Sequence, residues 1–225
     1  MAFLWVSCVG PDPFETPSGA FTKPEFEQDI AAFENLDIVE GLQEGGLLFV
    51  GSSSIRRWDT LEEDFGSIAP VIGRGFGGSQ MSDLVLATER IVTPHQPRVI
   101  IVYAGDNDIN QGKSPETVLR DFQTFCRLTL RKSPQSSIVF LSIKASPDRW
   151  DLRQPMRRAN ELVRDYCGSR RRLAYVDCFD VLLGADGLPN REFFVDDLLH
   201  LSPVGYEVWA ENLRPVLASR VRQRP

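Results

Sequence analysis

Five short runs of consecutive apolar residues recur along the chain, each bounded by glycine, proline, serine or aspartate. Each run has the length of a strand, and its apolar character is continuous rather than alternating. Such runs are typical of strands buried on both faces, as in a parallel sheet covered by helices. In chain order they are LLFVG at 47–51, PVIG at 70–73, RVIIVYAG at 98–105, SIVFLSI at 137–143 and LAYVD at 173–177.

Between these runs, apolar residues recur at spacings of three and four, which puts them on one face of a helix. Ser114-Pro115 and Ser202-Pro203 each combine a capping hydroxyl with a proline suited to the first turn. The apolar stripes are Phe26, Ile30 and Phe33; Leu84, Ala87 and Ile91; Val118, Phe122 and Phe125; Met156, Ala159, Val163 and Tyr166; and Tyr206, Trp209 and Leu213. Alternating strands and helices predict a doubly wound α/β sheet with functional loops at the carboxyl ends of its strands.

The composition is that of a folded globular protein and narrows the choice of partner. Of 225 residues, 42% are hydrophobic, and 31 acidic against 25 basic side chains give a net charge of −6. This balance disfavours nucleic acid as a partner, because nucleic-acid binders neutralise phosphates with basic residues. No apolar run approaches the roughly 20 residues that cross a bilayer, so no integral membrane association is expected. The expected partner is a small molecule.

The termini and the cysteines bear on domain organisation and location. We expect one domain at 25–219, an N-terminal extension at 1–24 and a basic tail at 220–225. The apolar amino end lacks the basic region and the length of a signal peptide. The cysteines lack CxxC spacing, which predicts free thiols and a cytoplasmic protein. They are Cys8, Cys126, Cys167 and Cys178.

The first strand runs into GSSSIRRW, which presents three serines just past a carboxyl end. Gly51 allows a tight turn there, so Ser52, Ser53 or Ser54 can serve as a nucleophile. Serines at such a position equally cap the next helix or satisfy turn amides.

The second strand enters GRGFGGSQMSDL, in which Gly73, Gly75 and Gly78 match GxGxxG. This spacing occurs in dinucleotide-binding turns, but Thr93 stands where their acidic residue is expected, about 20 positions on. A glycine-rich turn also brings backbone amides close to a developing anion, because no Cβ blocks the approach. The segment fits an oxyanion donor as well as a dinucleotide site.

The third strand ends in AGDND, which contains Asp106, Asn107 and Asp108. Two carboxylates and an amide can bind a metal, although divalent sites usually recruit further acids or histidines and the chain has only two histidines. Asn107 can instead donate its side-chain amide to a substrate oxygen. Residues 144–150, after the fourth strand, are either a substrate loop or an ordinary turn.

Near the carboxyl end, FVDDLLHLSP carries Asp197 three residues before His200. On a tight loop this carboxylate can accept a hydrogen bond from Nδ1 of His200, which leaves Nε2 to remove a proton from a serine. The alternative is a helix-capping or surface histidine. His95, in TPHQP, has no such partner nearby in the sequence.

Together these segments resemble the conserved blocks of the SGNH (GDSL-type) hydrolase family of esterases and lipases, over roughly residues 45–215. The resemblance puts the nucleophile on Ser53, the oxyanion glycine on Gly78 and the GxND asparagine on Asn107. It puts the DxxH pair on Asp197 and His200. No GxSxG elbow occurs, which disfavours the α/β-hydrolase family.

One departure concerns the nucleophile segment, where the family's Gly-Asp-Ser reads Gly51-Ser52-Ser53. Ser53 aligns best because it stands two residues after Gly51, with Ser52 and Ser54 as alternatives. A family member that binds acylated ligands without turning them over is also compatible with this change.

The resemblance implies a three-layer α/β/α, flavodoxin-like fold and a serine esterase that needs no cofactor or metal. Its oxyanion hole would consist of the amides of Ser53 and Gly78 and the side chain of Asn107. Short acyl esters are the implied substrates, with carbohydrate O-acetylesters or thioesters as alternatives. Two other functions stay open, a metal-dependent phosphoesterase using Asp106, Asp108, Asp197 and His200, and a dinucleotide-binding module.

Overall fold

The computed structural model describes residues 23–223, and its centre is a five-stranded sheet. The strands are β1 Leu47–Gly51, β2 Val71–Gly75, β3 Val99–Tyr103, β4 Ser137–Leu141 and β5 Leu173–Val176. All neighbours pair in parallel, in the order β2-β1-β3-β4-β5. This is the flavodoxin-like order, so the predicted fold class is confirmed. Strand β2 extends two residues beyond the predicted segment at 70–73.

Eight α-helices cover the sheet within the described range. They are α1 Pro24–Glu40, α2 Ser53–Arg56, α3 Leu61–Phe65, α4 Met81–Ile91, α5 Asp106–Asn110, α6 Pro115–Lys132, α7 Arg153–Gly168 and α8 Pro203–Arg222. Single 3₁₀ turns occur at Thr93–His95, Trp150–Leu152, Asp180–Leu182 and Arg191–Phe193. All five helices predicted from apolar stripes are present, whereas the short helices α2, α3 and α5 were not predicted.

The three layers follow from the alternation of side chains along each buried strand. In β1, Leu48 and Val50 pack into a core shared with α1, α4, α6 and α7. Leu47 and Phe49 face the opposite layer, where they meet α3 and α8. All residues of β1 and β3 are buried, as continuous apolar runs require of central strands.

Both predicted proline caps are confirmed. The Ser114 hydroxyl accepts a hydrogen bond from the Thr117 amide at 3.2 Å, and the Ser202 hydroxyl accepts one from the Gly205 amide at 3.2 Å. Helix α8 continues past residue 219 into the segment expected to be a basic tail. Arg220 lies on this helix and donates to the carbonyl of Leu173 at 2.9 Å.

Residues 1–22 and 224–225 lie outside the described part of the chain, so Cys8, most of the expected N-terminal extension and the end of the expected tail do too. The other three cysteines, Cys126, Cys167 and Cys178, are buried and free, as predicted. Burial raises the pKa of each of these thiols, that of Cys167 to about 12. Among the helices of residues 23–223, none has the length and apolar character needed to cross a membrane.

Candidate active site

The turn after β1 carries the three serines at the carboxyl edge of the sheet. A side chain on Gly51 would collide with the carbonyl of Tyr103 on the neighbouring strand, so glycine is required there. The Ser52 amide donates to that same carbonyl at 3.1 Å, and α2 begins at the next residue. The Ser53 amide therefore lies in a first helical turn, where an N–H group has no acceptor within its own helix.

Of the three serines, Ser53 is the one that reaches a histidine. Its Oγ lies 2.9 Å from Nε2 of His200. Ser52 and Ser54 are only 3% and 1% exposed, and the hydroxyl of Ser54 has no hydrogen-bond partner among the described residues. The turn thus directs the Ser53 hydroxyl toward His200 and buries the other two serines.

The loop before α8 brings Asp197 and His200 together. One carboxylate oxygen of Asp197 accepts from the amides of Leu199 and His200, at 3.0 and 2.8 Å, which is an Asx-type turn. The other lies 2.6 Å from Nδ1 of His200. Leu198, between them, has a left-handed φ of 56°, a conformation that costs free energy in a non-glycine residue.

The Asp197 carboxylate is held in its charged form. Burial alone would raise its pKa, but the hydrogen bonds from the amide and ring of His200 and from the Leu199 amide outweigh burial and hold the pKa well below its usual range. Arg57 lies 3.7 Å away at an exposed position, where an ion pair contributes little. Asp197 can therefore fix the His200 ring with Nδ1 as donor and Nε2 facing Ser53.

Gly78 and Asn107 lie at the same edge of the sheet, after β2 and β3. Gly78 has a left-handed φ of 83°, which strains any residue with a side chain. The Asn107 amide nitrogen donates to the carbonyl of Ser79 at 3.0 Å, so the turn that holds Gly78 also orients Asn107. Gly78 lies in the turn after β2, and Asn107 is hydrogen-bonded to that turn.

A cluster of buried ionised side chains lies directly behind Asn107. The carboxylate of Asp106 accepts from Nζ of Lys144 at 2.8 Å and from Arg149 at 2.6 Å. Burial alone would raise the pKa of Asp106, but the charges of Lys144 and Arg149 lower it below its ordinary value. The Tyr103 hydroxyl accepts from Lys144 at 3.2 Å, and burial raises the pKa of Tyr103 to about 12.

The sequence did not single out Lys144 or Arg149 as site residues. Both lie in the segment at 144–150, which was expected to be either a substrate loop or a turn. The available signal was the position of this segment at the carboxyl end of β4, the same edge as the other site residues.

The four residues of the alternative metal site do not converge. Asp106 is engaged by cations as described, and Asp108 accepts from the Met81 amide at 2.9 Å and from Lys113 at 2.9 Å. Asp197 bonds His200 instead. Within residues 23–223, no three histidine, cysteine or acidic side chains form a group suited to a metal ion.

The GxGxxG alternative is not supported by the position of its glycines. Gly73 and Gly75 lie inside β2, whereas the fingerprint glycines belong to the turn between a strand and a helix. A side chain on Gly75 would collide with the backbone of Arg56, so this glycine allows α2 to pack closely against β2.

His95 is buried at the opposite, amino-terminal edge of the sheet, before β3. Its Nδ1 lies 2.9 Å from the carbonyl of Gln43, and its Nε2 lies 3.3 Å from a carboxylate oxygen of Asp37. It therefore does have a carboxylate neighbour, supplied by α1, which the local sequence did not reveal.

Comparisons with known proteins bear on the family and the fold of the chain. Residues 38–208 match the GDSL-like Lipase/Acylhydrolase family. Subunit alpha1 of platelet-activating factor acetylhydrolase IB from Bos taurus is 25% identical over 186 residues, which cover 80% of this chain and 78% of that protein.

Two solved structures share the fold. A protein from Streptococcus pneumonia, provisionally named a platelet activating factor, has a TM-score of 0.76 at 23% identity and covers 86% of this chain and 92% of its own. A mutant of an acetyl-xylooligosaccharide esterase from Geobacillus Stearmophilus has a TM-score of 0.63 at 17% identity, covering 81% and 98%. The family match over most of the chain, with this shared fold, shows that the chain belongs to the GDSL-like lipase/acylhydrolase family, the SGNH hydrolases, and is a carboxylic ester hydrolase.

Proposed function

We propose that the chain is a serine esterase that transfers an acyl group from an ester to water through an acyl-enzyme on Ser53. The observation that carries this proposal is the continuous hydrogen-bonded chain from the Ser53 hydroxyl through His200 to Asp197, with separations of 2.9 and 2.6 Å. A nucleophile, a base and a group that orients the base, each within hydrogen-bond reach, are what acyl transfer requires.

In the first half of the reaction, Ser53 Oγ attacks the ester carbonyl carbon while Nε2 of His200 takes its proton. The imidazolium that forms is stabilised by the Asp197 carboxylate at Nδ1. Collapse of the tetrahedral intermediate breaks the bond to the alkoxy oxygen, which takes the proton from Nε2 and leaves as the alcohol.

The negative charge on the carbonyl oxygen needs donors that are already oriented. The Ser53 amide, the Gly78 amide and the Asn107 side chain supply them in our proposal. Loss of one such donor typically lowers turnover by ~10² to 10³, or about 3 to 4 kcal/mol.

In the second half, His200 takes a proton from water as the water oxygen attacks the acyl carbon. The tetrahedral intermediate releases the carboxylic acid and returns the proton to Ser53 Oγ. No step calls for a metal or organic cofactor.

For the acyl group we propose short chains, acetyl above all. The support is that one relative is named an acetylhydrolase and one structural neighbour an acetyl-xylooligosaccharide esterase. The same acyl-transfer steps accommodate sugar and lipid alcohols, so the acyl group rather than the alcohol defines the proposed substrate class.

Labelling with a fluorophosphonate, followed by peptide mass spectrometry, tests the nucleophile. We expect a single adduct on Ser53 in native protein and no adduct after heat unfolding. Matched controls are Ser52→Ala and Ser54→Ala. Ser52 makes no side-chain cap and the Ser54 hydroxyl has no partner among the described residues, so both variants should label and turn over p-nitrophenyl acetate normally.

Ser53→Ala should lose both the adduct and the hydrolysis of p-nitrophenyl acetate. Rates on butyrate and octanoate esters then test the preference for short acyl chains. An adduct on another residue, or hydrolysis that persists in Ser53→Ala, would overturn the assignment of Ser53.

A further inference from the structure

Arg149 touches both the buried ion pair and the proposed oxyanion asparagine. Its Nη1 donates to a carboxylate oxygen of Asp106 at 2.6 Å and to the side-chain oxygen of Asn107 at 3.2 Å. The Arg149 side chain is only 12% exposed, and its loop follows β4 at the edge of the sheet that carries Ser53. One guanidinium nitrogen thus bridges two consecutive residues of α5 from a distant loop.

We propose that Arg149 is a positioning residue that fixes the orientation of the Asn107 amide so that one N–H is free to donate to the oxyanion. The proposal rests on the proposed function, in which Asn107 donates to that oxyanion. Arg149 acts through Asn107 in this assignment and does not touch the reacting atoms.

The amide of Asn107 has two orientations that differ by exchange of its oxygen and nitrogen. In the observed one, the oxygen faces the Arg149 donor and the nitrogen faces the Ser79 carbonyl, so both contacts are hydrogen bonds. In the flipped one, the oxygen would face the Ser79 carbonyl and the nitrogen would face a guanidinium N–H. Both contacts would then be repulsive, and the two neighbours therefore select the same orientation.

The selected orientation leaves one donor for catalysis. The amide nitrogen carries two hydrogens, and the bond to Ser79 uses one. The other is available to the substrate oxygen. Asn107 is partly exposed whereas Asp106 beside it is buried, so Asn107 can meet substrate while its support stays out of water.

The same arrangement puts net positive charge next to the Asn107 amide, on the side occupied by Asp106 and Arg149. Within the buried cluster, Lys144 and Arg149 carry two positive charges against the single negative charge of Asp106, while Asp148, 3.9 Å from Arg149, is half exposed to solvent. Because Lys144 and Asp106 are almost fully buried, this charge is poorly screened by solvent. Polarisation of the Asn107 amide by the adjacent guanidinium strengthens its N–H donor where negative charge develops.

The test is a double-mutant cycle between Arg149→Met and Asn107→Ala, read out as kcat and KM on p-nitrophenyl acetate. Methionine keeps much of the apolar stem and removes the donor, while Lys144 still neutralises Asp106. Arg149→Met should lower kcat by about 10- to 100-fold with KM within about threefold, a smaller loss than removal of a whole oxyanion donor.

In the Asn107→Ala background, the same Arg149→Met change should cost less than about twofold, because the residue through which it acts is gone. Arg149→Lys retains the charge and a donor, so its kcat should lie between those of wild type and Arg149→Met. The cycle repeated with lysine keeps the inference testable if the methionine variant folds poorly, as judged by circular dichroism.

The matched control is Arg153→Met, since Arg153 stacks over Trp150 and donates to the Trp150 carbonyl, away from Asn107. It should keep wild-type kcat. A full Arg149→Met loss in the Asn107→Ala background, or wild-type kcat in Arg149→Met, would overturn the inference. Hydrolysis that persists in Ser53→Ala, or wild-type kcat in Asn107→Ala, would instead overturn the proposed function, so the two failures are distinguishable.

Discussion

The Ser53 hydroxyl meets the His200 ring at 2.9 Å although 147 positions separate them in the chain. Ser53 follows strand β1 and His200 precedes helix α8. Their contact therefore depends on how α8 packs against the turn after β1. Tyr206, in the first turns of α8, makes that connection directly, because its hydroxyl donates to the carbonyl of Ser54 at 2.9 Å. Its ring also packs 5.1 Å from the ring of Trp58.

Tyr206→Phe should therefore loosen the turn that holds Ser53 without leaving a large cavity. The carbonyl of Ser54 would lose its donor at a buried position, which costs about 1–3 kcal/mol. For a chain of this length each kcal/mol lowers Tm by roughly 2–4 °C. Thermal unfolding measures the shift. Because the ring is retained, a Tm equal to that of wild type would show that the hydroxyl does not anchor α8.

Asp197→Asn tests whether this carboxylate orients the His200 ring. An amide can donate as well as accept, so it can hold the ring in the tautomer whose Nε2 carries the proton. We expect kcat to fall by about 10³ to 10⁴ with little change in Tm. Steady-state hydrolysis of p-nitrophenyl acetate provides the measurement. Asp196→Asn removes the neighbouring exposed carboxylate and should keep wild-type kcat, and comparable losses in both variants would argue for a general charge effect.

The sequence predicted the architecture well because the physical signals were local. Continuous apolar runs identified all five strands, and serine-proline pairs identified the starts of α6 and α8. Short helices such as α2 and α5 span four or five residues, too few for apolar periodicity to show. They form because turns and tertiary packing hold them.

The site residues were named from the resemblance to SGNH hydrolases, and their roles stay a prediction. They are Ser53, Gly78, Asn107, Asp197 and His200. The choice among three serines depends on dihedral angles within one turn, which the sequence does not encode in any simple pattern. The contacts of Arg149 with Asp106 and Asn107 span 43 and 42 positions and depend on the path of a loop.

Gly78→Ala tests the left-handed turn of the proposed oxyanion hole. A Cβ there would make a tight contact of 3.3 Å with the ammonium at the flexible end of Lys23, and the φ of 83° strains alanine by about 1–2 kcal/mol. We expect a lower Tm and, because relief of the strain rotates the Gly78 amide, a kcat reduced by at least about tenfold. Gly168→Ala, at the end of α7 in open space, is the control and should leave both unchanged or raise Tm slightly. Equal Tm and kcat in both variants would contradict the assignment of Gly78.

The buried ion pair predicts a specific dependence of stability on pH. The folded-state pKa of Asp106 is lowered, so its contribution is complete above the unfolded carboxyl pKa of roughly 3.9 and is lost as pH falls through the folded value. The charge of Asp106 and the hydrogen bonds that Lys144 makes to Asp106 and Tyr103 outweigh burial and raise the folded-state pKa of Lys144. Its contribution is therefore complete below the unfolded value of roughly 10.4 and is lost as pH rises through the folded one. The pair should stabilise the fold evenly between about pH 5 and 9.

Asp106→Asn leaves the buried Lys144 without its carboxylate and should lower the free energy of unfolding by about 3–5 kcal/mol near pH 5. Urea unfolding of both proteins from pH 3.5 to 7 would measure the gap, which should be largest near pH 5 and shrink below about pH 4, where the carboxylate of the unfolded wild-type chain begins to take up a proton. Asp148→Asn is the matched control, because Asp148 is half exposed and 3.9 Å from Arg149, and its gap should stay near zero throughout. A gap for Asp106→Asn that stayed the same down to pH 3.5 would mean that packing or hydrogen bonding of Asp106, rather than its charge, stabilises this end of the sheet.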